Sequence, residues 1–208
     1  MITLSTVLLA GGESRRMGRD KATIEFEGRP LWERQLEILR ALRPETIFVS
    51  ARQSPCWLPA DTELILDDPP SRGPLSGLRK ALAAMRTTHL VALAVDMPFM
   101  LNEQLRRLYG LADAGQGAVP IIRDRAEPLV AVYPAEAAED FSAALAGTDF
   151  SLQKLVRELI GADKMRIFPV PEKDEHLYLS LNEPADLKER RLTNSRPKND
   201  GGLRTAAP

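Results

Sequence analysis

A single cysteine, Cys56, and two histidines are all that this 208-residue chain offers of those types. An internal disulfide is therefore excluded, and no Cys/His metal cluster can be assembled. Cys56, beside Trp57, reads as a loop or buried residue without a chemical role. Net charge is also nearly absent: 28 Lys and Arg face 29 Asp and Glu, leaving −1. General nucleic-acid binding, which calls for a strongly basic surface, is not expected. No window comes near the ~18 uninterrupted apolar residues of a membrane span. The N-terminus has neither a basic leader nor a small-residue cleavage site. A soluble, cytoplasmic protein is the expectation. With 44% apolar and 27% charged residues, the composition is that of an ordinary globule. The length suits one α/β domain with a substantial core.

What is present is concentrated near the start. The apolar run from Ile2 to Leu9 reads as a buried strand. It is broken by Gly11-Gly12, which free the backbone for a tight turn and for close approach to a ligand. Arg15, Arg16, Arg19 and Lys21 then place four cations within seven residues. Backbone N–H groups in a glycine turn, reinforced by Arg and Lys, form a concavity for a polyphosphate. It is not a P-loop, because only five residues separate Gly12 from Gly18 and Arg19-Asp20 follows where Lys-Ser/Thr belongs. Nor is it the dinucleotide fingerprint, which opens directly into a helix.

Further along, apolar strands alternate with amphipathic helices. Strands are expected over 22–26, 46–50, 63–66 and 89–95. Helices are expected over 31–42, from Pro74, and from Asn102 as a cap. A strand pair over 118–122 and 128–133 follows, then helices over 135–146 and 152–160, the second capped by Ser151. Strands over 165–170 and 177–181 and a last helix from Pro184 to about Arg191 complete the pattern. Residues 193–208, without apolar periodicity, read as a disordered tail, leaving 1–192 as one domain. This order implies an α/β fold of three layers: a mostly parallel, twisted, Rossmann-like sheet with helices on both faces. Ligands bind such sheets outside the carboxyl ends of the strands. The Gly11 loop, Asp67 or Asp68, and Asp96 all follow strands and should gather at that edge. Asp96, directly after the buried strand, would be costly to desolvate unless a cation met it. One such carboxylate, with substrate phosphates and waters, is enough for Mg²⁺.

The run Leu9-Ala-Gly-Gly-Glu-Ser-Arg-Arg-Met-Gly-Arg-Asp-Lys21 resembles the LAGGxSxRMGxDK signature of the molybdenum cofactor guanylyltransferases, the MobA-like family of the nucleotidyltransferase superfamily. Leu9, Ala10, Gly11, Gly12, Ser14, Arg16, Met17, Gly18, Asp20 and Lys21 stand at its spacing, and the likeness extends over roughly residues 4 to 190. It implies Mg²⁺-dependent transfer of GMP from GTP to molybdenum-bound molybdopterin, with release of pyrophosphate. Transient contact with molybdenum-enzyme assembly proteins is compatible with it. Arg16 and Lys21 become the catalytic cations, while Arg15 and Arg19 lie outside the pattern. Asp96-Met-Pro98 is similar to the DxP element that binds the metal. Asp67 or Asp68, before Gly73-Pro-Leu-Ser-Gly77, matches the Asp before GPLxG that is associated with the nucleotide. Gly73, Pro74 and Gly77 resemble the segment that passes the base; helix packing is the alternative use of Gly77. Asn182 matches the second Asn of NxNTPxDL on the acceptor side. Four positions depart from the pattern: Ser180 for the first Asn, Glu183 for Thr, Glu127 for the His of HPLxAL, and Ser50 where relatives carry Asn near the guanine. Related cytidylyltransferases read LAAG, so Gly11 favours GTP. A cytidylyltransferase, a transferase acting on another phosphorylated small molecule, and a nucleotide-binding regulator are the competing readings.

Overall fold

The structure, a computed structural model, describes residues 2–11, 20–67 and 70–181. Strand β1 (Leu4–Leu9) is buried along its whole length. Leu4 and Leu8 enter one hydrophobic core and Val7 and Leu9 the other, as the two-residue period of a strand requires. After Asp20, Lys21–Thr23 forms one turn of 3-10 helix. Two-residue strands β2 (Glu25–Phe26) and β3 (Arg29–Pro30) make a hairpin that leads into helix α1 (Leu31–Arg40). Strands β4 (Thr46–Ala51) and β5 (Glu63–Leu66), helix α2 (Pro74–Ala84), strand β6 (His89–Ala94) and helix α3 (Asn102–Tyr109) follow. The second half supplies β7 (Gly117–Ile122), β8 (Arg125–Ala126), β9 (Val130–Pro134), α4 (Ala138–Ala146), α5 (Leu152–Gly161) and β10 (Met165–Pro169). A 3-10 helix over Glu172–Tyr178 ends the described elements.

The main sheet runs β10-β7-β9-β6-β1-β4-β5, with β8 paired to β7 off this path. Pairing is parallel from β6 through β1 and β4 to β5, and again between β7 and β10. Strand β9 is antiparallel to both neighbours, β6 and β7. One face of the sheet is covered by α1 and α3 through Leu31, Leu36, Leu39, Leu105 and Leu108. The other is covered by α2, α4 and α5 through Leu75, Leu78, Phe141, Leu155 and Leu159. This is the three-layer α/β architecture expected from the sequence, with helices on both faces of a mostly parallel sheet.

Three local expectations are corrected. The strand expected over 22–26 gives way to the 3-10 turn at Lys21–Thr23, leaving only Glu25–Phe26 extended. Asp20 is the reason: its carboxylate accepts from Ala22 N at 2.9 Å and its carbonyl from Thr23 Oγ1 at 2.9 Å. Such local bonds compete with a sheet ladder. Of the strand expected over 177–181, Leu177 and Tyr178 instead end the 3-10 helix over Glu172–Tyr178, and 179–181 form neither helix nor strand. Consecutive Leu177 and Tyr178 are both buried in the same core, which a pleated strand would not allow. Finally, Asn102 does not cap α3: Leu101 holds the cap position and makes no side-chain cap bond. Ser151, by contrast, does cap α5, accepting from Lys154 N at 3.4 Å. Cys56 is exposed. The expected helix from Pro184 and the tail lie outside the described residues.

Candidate active site

Strands β1, β4, β5 and β6 point the same way, so the residues that follow them meet at one edge. There a cavity of about 240 Å³ is bounded by Gly11 after β1, Ser50 and Arg52 at the end of β4, and Asp67 after β5. Gly73 and Pro74 at the start of α2, and Asp96 after β6, line it too. Lys21 and Leu129 contribute from the turn after Asp20 and from the entry to β9.

The charged centre is a pair. Lys21 Nζ donates to Asp96 Oδ2 at 2.8 Å, and also to the Leu181 carbonyl at 3.0 Å. The two side chains are 16% and 20% exposed, so the pair is largely desolvated while still reaching the cavity. Leu181 N in turn donates to the Asp96 carbonyl at 2.8 Å, fastening the last described residue to the end of β6. Asn182, the acceptor-side candidate, comes next in the chain and lies outside the described residues.

Asp67 lines the cavity; the adjacent acid, Asp68, lies outside the described residues. Asp67 Oδ2 accepts from Ser71 Oγ at 2.7 Å, and Ser71 Oγ accepts from Gly73 N at 3.1 Å. Asp67 N donates to the Ala51 carbonyl, continuing the β4–β5 register. The other oxygen, Oδ1, is buried without a hydrogen-bond partner among the described residues. A buried carboxylate oxygen in that state is costly unless a ligand hydroxyl or N–H meets it.

The glycines divide by role. Gly73 has φ +65° and precedes α2, in the left-handed region that favours glycine. Gly77 is a close-packing residue, because a Cβ there would lie 2.1 Å from Ser50 Oγ and 3.0 Å from Ser50 Cβ. Helix α2 thus approaches β4 directly behind the cavity wall. Gly77→Ala is expected to overpack this contact, a class of change costing about 1–3 kcal/mol, and to lower the melting temperature accordingly. Adding Ser50→Gly should restore most of the loss, because it vacates the space the new methyl needs. Thermal melts of the single and double variants test this. Additive losses would place the strain elsewhere. At Gly11, a Cβ would lie 3.6 Å from both Ala51 Cα and Asp67 Oδ2, which is ordinary contact.

Arg52 is a cavity residue that the motif reading passes over. It stands directly after Ala51 at the carboxyl end of β4, so the rule that singles out Asp67 and Asp96 also finds it. Leu9, Ala10 and Ser50 are brought together by the β1–β4 register, with Leu9 opposite Ser50 and Ala10 N donating to the Ser50 carbonyl at 2.8 Å. Gly12, Ser14, Arg15, Arg16 and Arg19 lie outside the described residues. Glu127 is half-buried, and burial raises its carboxyl above the usual range, opposed by the charge of Arg125. It sits two residues before Leu129, in the turn leading to β9.

Asp96 suits a magnesium ion on its donor chemistry. It is a hard oxygen ligand at the cavity, and Oδ1 accepts nothing from the described side chains while Oδ2 meets Lys21. Among the described residues there is no cluster of three His, Cys, Asp or Glu that could cage a metal without substrate. Among them, too, no helix is long and apolar enough to cross a membrane.

Residues 6–164 match the family described as the MobA-like NTP transferase domain. A probable molybdenum cofactor guanylyltransferase of Opitutus terrae is 35% identical over 186 residues, covering 88% of this chain and 92% of that protein. A molybdenum cofactor guanylyltransferase of Cereibacter sphaeroides is 36% identical over 189 residues, covering 87% and 92%. Among solved structures, the molybdopterin-guanine dinucleotide biosynthesis protein A of Archaeoglobus fulgidus superposes with a TM-score of 0.69 at 23% identity. That superposition covers 93% of this chain and 99% of the other.

Proposed function

Because the chain belongs to the MobA-like NTP transferase family and is a nucleotidyltransferase, we propose that it transfers GMP from GTP to the terminal phosphate of molybdenum-bound molybdopterin. The P–O bond between the α- and β-phosphates breaks, an acceptor phosphate oxygen forms the new bond to the α-phosphorus, and pyrophosphate leaves. The observation that carries this reading is the Lys21–Asp96 pair, opposite charges 2.8 Å apart at the edge of a cavity whose far wall holds the Asp67 carboxylate.

Each residue has a task that its position supports. Gly11 gives the base and ribose a wall without a side chain. Asp67 Oδ1, buried and without a partner among the described residues, accepts from a ribose hydroxyl or a base N–H. Lys21 neutralises the phosphates, the dominant requirement of phosphoryl chemistry. With Gly12, Ser14 and Arg16 beside it in sequence, it belongs to the phosphate-binding run. Asp96 would hold Mg²⁺. When bound, that ion supplies charge neutralisation at the phosphates and polarises the phosphorus under attack. Asn182, next to Leu181, is the candidate for the acceptor side.

The test is pyrophosphate release from each nucleoside triphosphate, with and without molybdopterin. Release is expected with GTP, and only when the acceptor is present. Release with CTP instead would favour the cytidylyltransferase reading. Gly11→Ala sharpens the base assignment. Its methyl fits the protein at ordinary contact distance, so the fold should hold while the purine loses space. The GTP:CTP turnover ratio, measured with both nucleotides in competition, is expected to fall about tenfold. An unchanged ratio would leave Gly11 a turn residue and move base choice toward Ser50, Arg52 and Gly73.

A further inference from the structure

The chain has two tryptophans, and the fold stacks them on each other beside the exit of the phosphate-binding run. Trp32, in the first turn of α1, and Trp57, in the connection between β4 and β5, have ring centroids 5.2 Å apart and planes inclined by 11°. Trp57 Nε1 donates to Asp20 Oδ2 at 3.1 Å. Asp20 uses its other oxygen to accept from Ala22 N, and its carbonyl accepts from Thr23 N. The two carboxylate oxygens therefore have separate tasks: one closes the 3-10 turn over Lys21–Thr23, and the other ties that turn to a tryptophan anchored on α1. Lys21 opens this turn and reaches Asp96 and the Leu181 carbonyl across the cavity.

We propose that Trp57 is a positioning residue for nucleotide transfer: its indole N–H holds the Asp20 carboxylate, and so fixes the turn that delivers Lys21 to the phosphates. This rests on the functional reading above, in which Lys21 meets the nucleotide. A side chain of Lys carries considerable rotamer freedom, and its placement is only as good as that of the backbone that bears it. The indole is well suited to the task. It is a donor only, so it cannot compete for the Ala22 N–H, and its stacking on Trp32 sets the direction of the N–H.

Trp57→Phe keeps a ring to stack on Trp32 and deletes the donor. It is expected to raise the KM and Kd for GTP roughly fivefold, the net scale of one ordinary intramolecular hydrogen bond. The acceptor KM should not move, and the protein should stay folded by circular dichroism. Asp20→Asn keeps an oxygen for Ala22 N but turns an amide toward the indole, so it should reproduce the defect. The double variant should be no worse than Asp20→Asn alone, because both changes remove the same contact. A Trp57→Phe enzyme with wild-type GTP KM, or a double variant whose losses multiply, overturns the proposal. So does a loss confined to kcat and melting temperature, which is what a merely structural ring would give. Wild type is measured alongside: if it fails to bind GTP, the functional reading fails, and the cycle is read with whichever other nucleoside triphosphate it binds. A wild type that binds none overturns both.

Discussion

Asp96→Asn is expected to lower turnover about a thousandfold or more while leaving the fold intact. The asparagine keeps the shape of the side chain and an oxygen for Lys21, but loses the charge with which Asp96 would hold magnesium. Removing a metal contribution of several kcal/mol from the transition state corresponds to this loss of rate. Stability should change little by comparison, because Lys21 keeps the Leu181 carbonyl as a second acceptor. The wild-type enzyme should stop on chelation of divalent ions and recover with added Mg²⁺, whereas the variant should respond weakly to Mg²⁺ at any concentration. Single-turnover rates across a magnesium titration, with circular dichroism on the same samples, decide the matter. Near-normal turnover in a folded variant would remove Asp96 from the chemistry.

The second large effect is at the other end of the same pair. Lys21→Ala should lower kcat/KM for GTP about 10²–10³-fold, the cost of deleting one preorganised charge at a transferring group. It also leaves Asp96 largely desolvated without its counter-ion, a situation that destabilises. A larger loss of melting temperature is therefore expected here than in Asp96→Asn, where an amide oxygen and the Leu181 carbonyl still meet Lys21. Arg19→Ala, which lies off the family spacing, should be mild. Equal effects from the two lysine and arginine variants would mean that the run acts only as a diffuse positive field.

Much of this was legible in the sequence because the fold obeys one rule many times over. Gly11, Asp67 and Asp96 each follow an apolar strand, and parallel pairing of β1 with β4 and β6, and of β4 with β5, carries all three to one edge. Arg52 follows a strand in the same way, yet no motif draws attention to it. What sequence reading misplaced was local. Asp20 diverts the following residues into a 3-10 turn through its own side chain, and strand periodicity is blind to such bonds. The stretch over 177–181 has the apolar content of a strand, but Leu177 and Tyr178 are buried side by side at the end of a 3-10 helix. The Trp57–Asp20 bond joins residues 37 positions apart, and no local pattern announces it. Nor could spacing reveal that Gly77 faces Ser50, since that contact depends on how closely α2 settles onto β4.

The position of β1 carries a consequence in time. This wholly buried strand is made before either of its partners, β4 and β6, and the Leu4–His89 register joins it to a point 85 residues later. At about 5–20 residues per second of synthesis, Leu4–Leu9 waits roughly 4–17 s before both neighbours have been made. For that interval an apolar segment followed by a cluster of arginines has no sheet to join. Those charges stand where flanking gatekeepers keep a nascent strand from aggregating.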